Sequence, residues 1–256
     1  MTSITAELQS IFTYPFKSEH WQGRFAILAL FVLLAFIPLV PIIFMLGYCG
    51  RVMRDVIAGN EPVLPEWTGW GQLFADGLKM LFALLIYMLP GFILVGIGYG
   101  VMFISQLSLA SQVNPENYSA VLGEFTHSLG SMWLMYVGFL LMMVAGVFAP
   151  PAVTHMVAKG QFAAAFHFSE WWKVFRANLV GFLIADALVM GVYMVVMWVI
   201  YFFIVSIVLC CVSPFVAAIG MAYMALVTYA LFAKIYYEGV QKLTAVPAPP
   251  QPGVNA

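Results

Sequence analysis

Long apolar runs separated by short polar segments dominate this chain. Five runs are long enough for a helix to cross bilayer hydrocarbon, which takes about 20 apolar residues. They are residues 25–48, 80–109, 131–157, 179–209 and 212–233. Open strand edges cannot be satisfied in lipid, and the runs lack the alternation of barrel strands. The pattern therefore predicts an all-α polytopic membrane helix bundle of about five transmembrane helices, with short amphipathic interfacial helices between them.

The first run has a second interpretation. Pro38 and Pro41 interrupt it, and proline removes a helical hydrogen bond, so two half-length helices could form a re-entrant hairpin instead. Length favours a true span, whereas the charge distribution described below slightly favours the hairpin. The span is our first interpretation, and the side of the amino terminus stays open.

Composition agrees with a membrane protein, because 64% of residues are apolar and only 8% are charged, against about a quarter charged in soluble domains. The first apolar run follows 24 fairly polar residues and has no small-residue cleavage site behind it. It therefore reads as an anchor and not as a removable signal peptide. A net charge of −1 gives no general attraction to nucleic acid, which we do not expect as a partner.

A polar segment between Arg51 and Lys79, here called the cassette, carries seven of the 21 charged residues. Pro62 and Pro65 end any preceding helix, and Thr68 stands where a helix N-cap would. Apolar residues at helical spacing follow, namely Trp70, Leu73, Phe74 and Leu78. Since indole rings favour the membrane interface, the cassette predicts a short amphipathic helix that lies on the membrane surface and leads into the next span.

A fainter copy of the cassette returns 101 positions later. The identical pairs are Val56 and Val157, Gly59 and Gly160, Trp70 and Trp171, Phe74 and Phe175, and Leu78 and Leu179. Ser169 matches Thr68 as a second capping hydroxyl. Each copy reads as the end of a span, a bend at glycine, an amphipathic helix and the next span. We interpret residues 53–79 and 154–180 as an internal repeat; chance similarity of two interfacial helices is the alternative.

The ends of the chain differ from the middle. Residues 1–23 read as an aromatic-bearing interfacial segment, residues 24–243 as the transmembrane domain, and the proline-rich residues 244–256 as a disordered tail.

Positive charge predicts the orientation. With five spans, eight of the ten Lys and Arg residues lie on the side of the cassette. They are Arg51, Arg54, Lys79, Lys159, Lys173, Arg176, Lys234 and Lys242. The other side holds only Lys17 and Arg24, and a re-entrant first run would bring these across as well. The positive-inside rule then places the cassette, its copy and the carboxyl terminus in the cytoplasm of the cell.

Ordered motifs carry a resemblance to a known family. They are YPFKSEHW, GYCGRVMRDVIAGNEPVLPEW, WGQLFADGLK, YMLPG and AAAFHFSEWWKVFRAN. The chain resembles the family of prokaryotic integral membrane proteins labelled domain of unknown function 4013, over about residues 12–237. The resemblance implies a helical integral membrane protein and supplies no catalytic or binding residues.

Asp186 is the only acidic residue well inside a predicted span. Ten residues of helix beyond Arg176 place it about 15 Å deep, where an ionised aspartate costs roughly 3 kcal/mol. A proton or cation site is one interpretation. A protonated carboxyl group that is hydrogen-bonded to a tyrosine or a backbone carbonyl of a neighbouring helix is the other, and it has equal weight.

A second candidate site is a lipid-binding or partner-binding surface. It comprises Arg51, Arg54, Trp70, Lys79, Lys159, Trp171, Lys173 and Arg176. Basic residues at a membrane surface bind anionic headgroups, although simple topological anchoring explains the same pattern and is the stronger interpretation. Within the cassette, Asp76 and Lys79 have the spacing of an ion pair. Gly96 and Gly100, like Ala218 and Ala222, form small-residue steps that suit helix packing.

Motifs for enzymatic chemistry are missing from the sequence. The three cysteines lack metal-ligand spacing, His155 and His167 read as interfacial, and neither a nucleophile elbow nor a phosphate loop is found. We expect no cofactor, no metal site and no enzyme.

Two functions remain. The first is a non-catalytic accessory, assembly or lipid-interacting module whose partners are membrane lipids and other membrane proteins, with the oligomeric state open. The alternative is a small transporter or channel that uses Asp186. Convergence of Asp186 with Ser105, Tyr193 and Thr228 on one cavity would favour transport.

Overall fold

The structure is a computed structural model that describes residues 9–36, 39–111, 118–206 and 209–245. Helices account for most of these residues, which include no strand, so the predicted all-α fold class is confirmed. The α-helices used below are α1 (Trp21–Leu33), α2 (Val40–Ile57), α3 (Trp70–Ser111), α4 (Tyr118–Lys159), α5 (Phe168–Ala177), α6 (Leu179–Val205) and α7 (Ser213–Thr244). Short 3-10 turns occupy Tyr14–Phe16, Leu34–Phe36 and Phe162–Phe166. The predicted tail falls almost wholly in residues 246–256, outside the described residues.

Four of these helices are long and apolar enough to cross a bilayer, as expected of a multi-pass membrane protein. They are Trp70–Ser108, Thr126–Lys159, Leu179–Val205 and Ser213–Thr244. These four match the second to fifth predicted runs.

The first apolar run does not form the single continuous helix that we predicted: it forms α1 and α2, which pack against each other. Two packed helices fit the hairpin alternative, whose position in the membrane stays a prediction. Phe31 of α1 stacks on Phe44 of α2 with ring centroids 5.4 Å apart. The Arg24 guanidinium donates to the carbonyl of Leu64 at 2.6 Å, and Tyr48 donates to the carbonyl of Pro65 at 2.9 Å. The start of α1 and the middle of α2 therefore contact one loop. The break between the two helices has a local cause, because α2 starts with a proline in its first turn, which lacks the N–H that a continuous helix needs.

The chain forms two compact units. The larger unit contains the described residues up to Leu81 and from Pro150 onward, and its central element is α7. Helices α1, α2, α5 and α6 all pack against α7. Small residues on α7 permit these approaches, and Ala222, Ala230 and Ala233 are fully buried.

Helices α2 and α3 cross in the larger unit at two glycines. A Cβ atom on Gly77 would overlap the carbonyl group of Ile43, and one on Gly47 would overlap the carbonyl group of Leu73. Glycine is therefore required at both positions, because any side chain would force the two backbones apart. This crossing fixes the start of α3 against α2.

The smaller unit, Phe82–Ala149, pairs the apolar parts of α3 and α4 in antiparallel fashion. A Cβ atom on Gly98 would lie 2.9 Å from the carbonyl oxygen of Ser131, and one on Gly91 would lie 2.7 Å from that of Gly138. By contrast, nothing lies within 4 Å of a Cβ atom built on Gly96 or Gly100. Internal packing at Gly96 and Gly100, the first interpretation of this step, is therefore wrong for the described residues, since the contact lies on another face of the same helix; an oligomer contact, the second interpretation, stays a prediction. In the larger unit, Ala218 and Ala222 are buried, as predicted.

The cassette does not form a separate surface helix, contrary to our prediction. Helix α3 starts at Trp70 and continues without a break to Ser111, because no breaking residue separates the amphipathic segment from the apolar run. Thr68 is not the cap either. The carbonyl group of Gly69 accepts the bonds from the backbone N–H groups of Gln72 and Leu73, at 2.9 and 3.1 Å.

The copy of the cassette does contain a separate helix, α5, which ends at Asn178 before α6 begins. Its N-cap residue is His167, so the predicted capping role of Ser169 is wrong. The bend at glycine is confirmed in both copies, because Gly59 and Gly160 have φ values of 89° and 66°. Internal duplication stays a prediction.

Candidate functional site

A cavity of about 250 Å³ opens where the cassette meets its copy. The residues that line it are Gly50, Arg54, Gln72, Asp76, Lys79, Met80, Met156, Val157 and Gly160. All of them belong to the larger unit. Residues from both of these similar segments therefore line one cavity, which we call the cassette cavity.

Charge in the cassette cavity is organised around one carboxylate. The Arg54 guanidinium on α2 pairs with Oδ2 of Asp76 on α3, and Lys79 Nζ lies 3.6 Å from Oδ1 of the same residue. The pairing of Asp76 with Lys79 was predicted from their spacing and is confirmed. Two cations share one anion, so the group carries one excess positive charge.

Local backbone geometry holds this charge group in place. The crossing at Gly77 brings α2 close enough for Arg54 to reach Asp76, and a Cβ atom on Gly50 would lie 2.8 Å from the sulfur of Met80. Gly160, in a left-handed conformation, ends α4 at the rim of the cavity. Glycines thus admit both the close packing and the turn that shape the site.

Arg51, which belongs to the predicted lipid-binding or partner-binding surface, holds the loop before α3. Its guanidinium donates to the carbonyl of Glu66 at 3.0 Å and to the carbonyl of Thr68 at 2.8 Å. Arg24 makes a similar brace through Leu64 and pairs with Glu66 at 3.3 Å. These two arginines position the loop.

Aromatic rings flank the loop that these arginines hold. The Tyr48 and Trp67 rings stack with centroids 4.2 Å apart, and Trp70 packs 5.6 Å from both Trp67 and Phe44. The side chain of Trp70 is 46% exposed, which suits the interfacial position predicted for it.

Trp171, the counterpart of Trp70, has the opposite environment. It is 1% exposed, so our prediction that Trp171 contributes to a lipid surface is wrong. With Val174 and Phe175 it forms the buried face of α5, which packs on α7. Lys173 and Arg176 lie on the exposed face of this helix, and Lys159 is exposed at the end of α4.

A hydrogen-bonded group that the sequence analysis did not find joins α4, α5 and α7. His155 is 3% exposed, and its Nδ1 atom lies 2.6 Å from the Tyr236 hydroxyl. Its Nε2 atom lies 3.2 Å from Oε2 of Glu170, whose Oε1 lies 3.4 Å from His167. The hydrogen bond from His155 holds the pKa of Glu170 below its ordinary value. No local pattern predicts this group, because 81 positions separate His155 from Tyr236.

The family comparison covers both copies of the cassette. The sequence profile of a family described as "Protein of unknown function (DUF4013)" matches residues 30–205, more than two thirds of the chain. The chain belongs to this family. No curated protein and no solved structure matches the chain.

The DUF4013 match contains every residue that lines the cassette cavity. It ends with α6, so Tyr236 and the other α7 residues lie outside the matched segment. The cassette cavity is therefore part of the matched region, whereas the bond between His155 and Tyr236 joins that region to the helix that follows it.

Asp186, on α6, stands apart from the cassette cavity. Its Oδ2 atom is buried and has no hydrogen-bond partner among the described residues, so the bond that one interpretation predicted is not found for this atom. Tyr193 and Thr228 line a cavity of about 360 Å³ between α1, α2, α6 and α7, and Asp186 is not among its lining residues. Ser105 belongs to the smaller unit. The convergence that would favour transport is not observed for Asp186.

Proposed function

We propose that this DUF4013 protein is a non-catalytic membrane module whose cassette cavity binds the phosphate headgroup of an anionic lipid. The observation that carries the proposal is the pairing of Arg54 and Lys79 with the single carboxylate of Asp76 in that cavity. The excess positive charge attracts a phosphate, and both cations retain donors for it because guanidinium and ammonium groups carry several N–H bonds.

Stability alone does not account for this charge group. Partly exposed ion pairs contribute only about 0–1 kcal/mol, and the side chains of Arg54 and Lys79 are 36% and 43% exposed. Topological anchoring needs positive charge near the membrane, but it does not need two cations to converge on one cavity. A ligand that binds both cations explains the convergence.

The orientation is part of the proposal. In this orientation the four long helices each cross the membrane, so the end of α7 lies on the same side as the cassette. Helix α1 packs along α2, and Arg24 lies beside the loop that follows α2. All ten Lys and Arg residues then lie on one side, which the positive-inside rule makes cytoplasmic. The anionic lipids of that leaflet attract basic surfaces by about 1 kcal/mol for each Lys or Arg.

Native mass spectrometry of the purified full chain tests this proposal with phosphatidylglycerol and phosphatidylcholine as probes. The variant carries Arg54→Gln and Lys79→Gln. Its matched control carries Lys173→Gln and Arg176→Gln, which remove the same charge from the exposed face of α5. General surface attraction falls equally in both double variants. The charge-assisted bonds of a defined site, at about 1.5 kcal/mol or more each, predict a further loss of phosphatidylglycerol affinity of roughly tenfold or more in the Arg54 and Lys79 variant only.

Thermal unfolding of both double variants in detergent verifies that they fold. An equal loss of phosphatidylglycerol in the two would contradict a defined headgroup site and would leave general charge attraction. A protein partner that co-purifies in stoichiometric amount and is lost only in the Arg54 and Lys79 variant would replace the lipid as ligand.

Transport remains the second candidate because one buried carboxylate oxygen of Asp186 has no partner among the described residues. Ion flux through liposomes that contain the purified protein tests it, with Asp186→Asn as the variant. The proposed function predicts no flux above that of empty liposomes, and flux that disappears in Asp186→Asn would favour transport.

A further inference from the structure

The cavity of about 360 Å³ between α1, α2, α6 and α7 is apolar apart from three hydroxyl groups. These belong to Tyr193 on α6 and to Thr228 and Tyr229 on α7, and we call the feature the hydroxyl cavity. None of the described residues that line it is charged. Its volume lies within the range of small-molecule sites, which starts near 300 Å³. The hydroxyl cavity therefore suits an uncharged ligand.

The hydroxyl cavity lies at the depth of bilayer hydrocarbon. Asn178 donates to the carbonyl of Ile235 at 3.1 Å, so these two residues lie at one level, where the apolar helix α6 begins. Tyr193 follows Asn178 by 15 residues, and Thr228 precedes Ile235 by seven. At 1.5 Å per residue they lie about 22 Å and about 10 Å from that level, inside a hydrocarbon core of about 30 Å. A ligand must therefore enter from the bilayer.

The three hydroxyl groups have no hydrogen-bond partner among the described residues. Two other tyrosines of the larger unit, Tyr14 and Tyr48, donate to backbone carbonyl groups at 3.0 and 2.9 Å. No such bond is formed by Tyr193, Thr228 or Tyr229. Lipid chains cannot supply the bond, and polar groups inside a membrane are normally paired. A ligand with acceptor atoms would complete all three.

The walls of the hydroxyl cavity consist partly of aromatic and thioether side chains. Phe31 of α1 lines it, together with Met45, Met221 and Met224. Methionine side chains are flexible and make favourable contacts with rings, and aromatic side chains pack against other rings in offset or edge-on geometry. These walls suit a planar ring.

We infer that the hydroxyl cavity binds the ring of an isoprenoid quinone, whose two carbonyl oxygens accept hydrogen bonds from the hydroxyl groups of α6 and α7. A quinone ring is planar and uncharged, and its apolar tail keeps it in the hydrocarbon. A phospholipid holds its charged headgroup and ester groups at the membrane surface, and its acyl chains offer no acceptor to the hydroxyl groups. A charged, water-soluble molecule would find no counter-charge in the cavity.

Quinone binding goes beyond the proposed function and uses a different site, because the hydroxyl cavity shares no residue with the cassette cavity. The two can therefore fail separately. The double variant of Arg54 and Lys79 should bind quinone as the natural chain does. Variants of the hydroxyl cavity should keep their affinity for phosphatidylglycerol.

The test is native mass spectrometry of the full chain in detergent with decylubiquinone as the probe. The variant carries Tyr193→Phe and Thr228→Val, which remove two hydroxyl groups and keep the shape of the side chains. Its matched control carries Tyr201→Phe and Thr244→Val, because neither residue lines the cavity. We expect the natural chain and the control to bind one decylubiquinone, and the variant to bind it at least roughly tenfold more weakly.

A second pair of variants tests the cavity by filling it. Val189→Trp places a large ring inside, since Val189 lines the cavity. Its control is Val195→Trp on the same helix, because Val195 is 63% exposed and does not line the cavity. Decylubiquinone binding should be lost in Val189→Trp and kept in Val195→Trp. Thermal unfolding in detergent verifies that the variants fold, and the hydroxyl variant covers the case in which Val189→Trp does not.

Three results would each overturn the inference. They are a natural chain that binds no decylubiquinone, equal binding by the hydroxyl variant and its control, and equal loss in the two tryptophan variants. Bound phosphatidylcholine that excludes decylubiquinone from the natural chain would also overturn it, because an acyl chain would then be the occupant.

Discussion

Replacing Gly77 by alanine tests the helix crossing that holds the cassette cavity together. A Cβ atom at this position would overlap the carbonyl group of Ile43 and would lie 2.8 Å from the backbone nitrogen of Gly47. Both obstacles are backbone atoms, so no side-chain rotation relieves the overlap. Helices α2 and α3 must move apart, which separates Arg54 from Asp76.

The expected magnitude follows from two opposing terms. Alanine favours the helix over glycine by up to about 1 kcal/mol, and overpacking a tight contact costs about 1–3 kcal/mol. Because the contact is with backbone, the upper end of that range applies, and Gly77→Ala should lower the free energy of unfolding by about 2 kcal/mol.

The control is Gly71→Ala on the same helix. Nothing lies within 4 Å of a Cβ atom at Gly71, so only the propensity term acts, and stability should rise by about 0.5 kcal/mol. Equilibrium unfolding in mixed detergent micelles, followed by tryptophan fluorescence, measures both variants. If Gly77→Ala were as stable as Gly71→Ala, the close crossing of α2 and α3 would be refuted.

Three further predictions use the same unfolding assay. Gly98→Ala should destabilise the protein by about 1–3 kcal/mol through overpacking, whereas Gly96→Ala should not, because a Cβ atom there meets nothing within 4 Å. Equal effects of the two variants would contradict the contact of α3 with α4 at Gly98. Asp186→Leu should raise the free energy of unfolding by roughly 1–3 kcal/mol, because it removes a carboxyl group whose Oδ2 atom is buried without a partner among the described residues. A loss of stability would reveal a bond to that carboxyl group. Glu170→Gln should be less stable than the natural protein at pH 7. Because the folded pKa of Glu170 is lowered, the stabilisation from its carboxylate is lost on protonation, so the difference in unfolding free energy should shrink as the pH falls below the ordinary carboxyl value of 4.5. A difference that does not change with pH would contradict the role of the His155 bond.

The sequence predicts the four long spans because each is a continuous apolar run, and it predicts the two glycine bends because helix ends favour left-handed glycine. It does not decide the path of the first run. Pro41 marks the break, but the fold-back depends on Arg24 reaching the carbonyl of Leu64, 40 positions away. Composition cannot reveal a contact of that length.

In the candidate site, too, contacts between residues close in sequence were predictable and contacts between distant residues were not. Asp76 and Lys79 are close in sequence, so their pair was found, whereas Arg54 reaches Asp76 across 22 positions. Trp70 and Trp171 occupy matching positions in similar patterns, yet one is half exposed and the other is buried. The difference arises because α5 lies against α7, which the local pattern of either copy does not encode.

The proposed function requires the basic residues to lie on one side of the membrane, and cysteine accessibility in sealed vesicles tests this arrangement. Cysteines are placed at Gly23, which has open space around it, and at Asn60, which is exposed, in a chain whose native cysteines are replaced by serine. The reference is native Cys210, kept in a separate variant; it is exposed between the end of α6 and the start of α7, at the ends of these helices that lie away from the basic residues. A membrane-impermeant maleimide should label positions 23 and 60 from the same side and Cys210 from the other. Labelling of position 23 from the side of Cys210 would contradict the hairpin and the single basic surface.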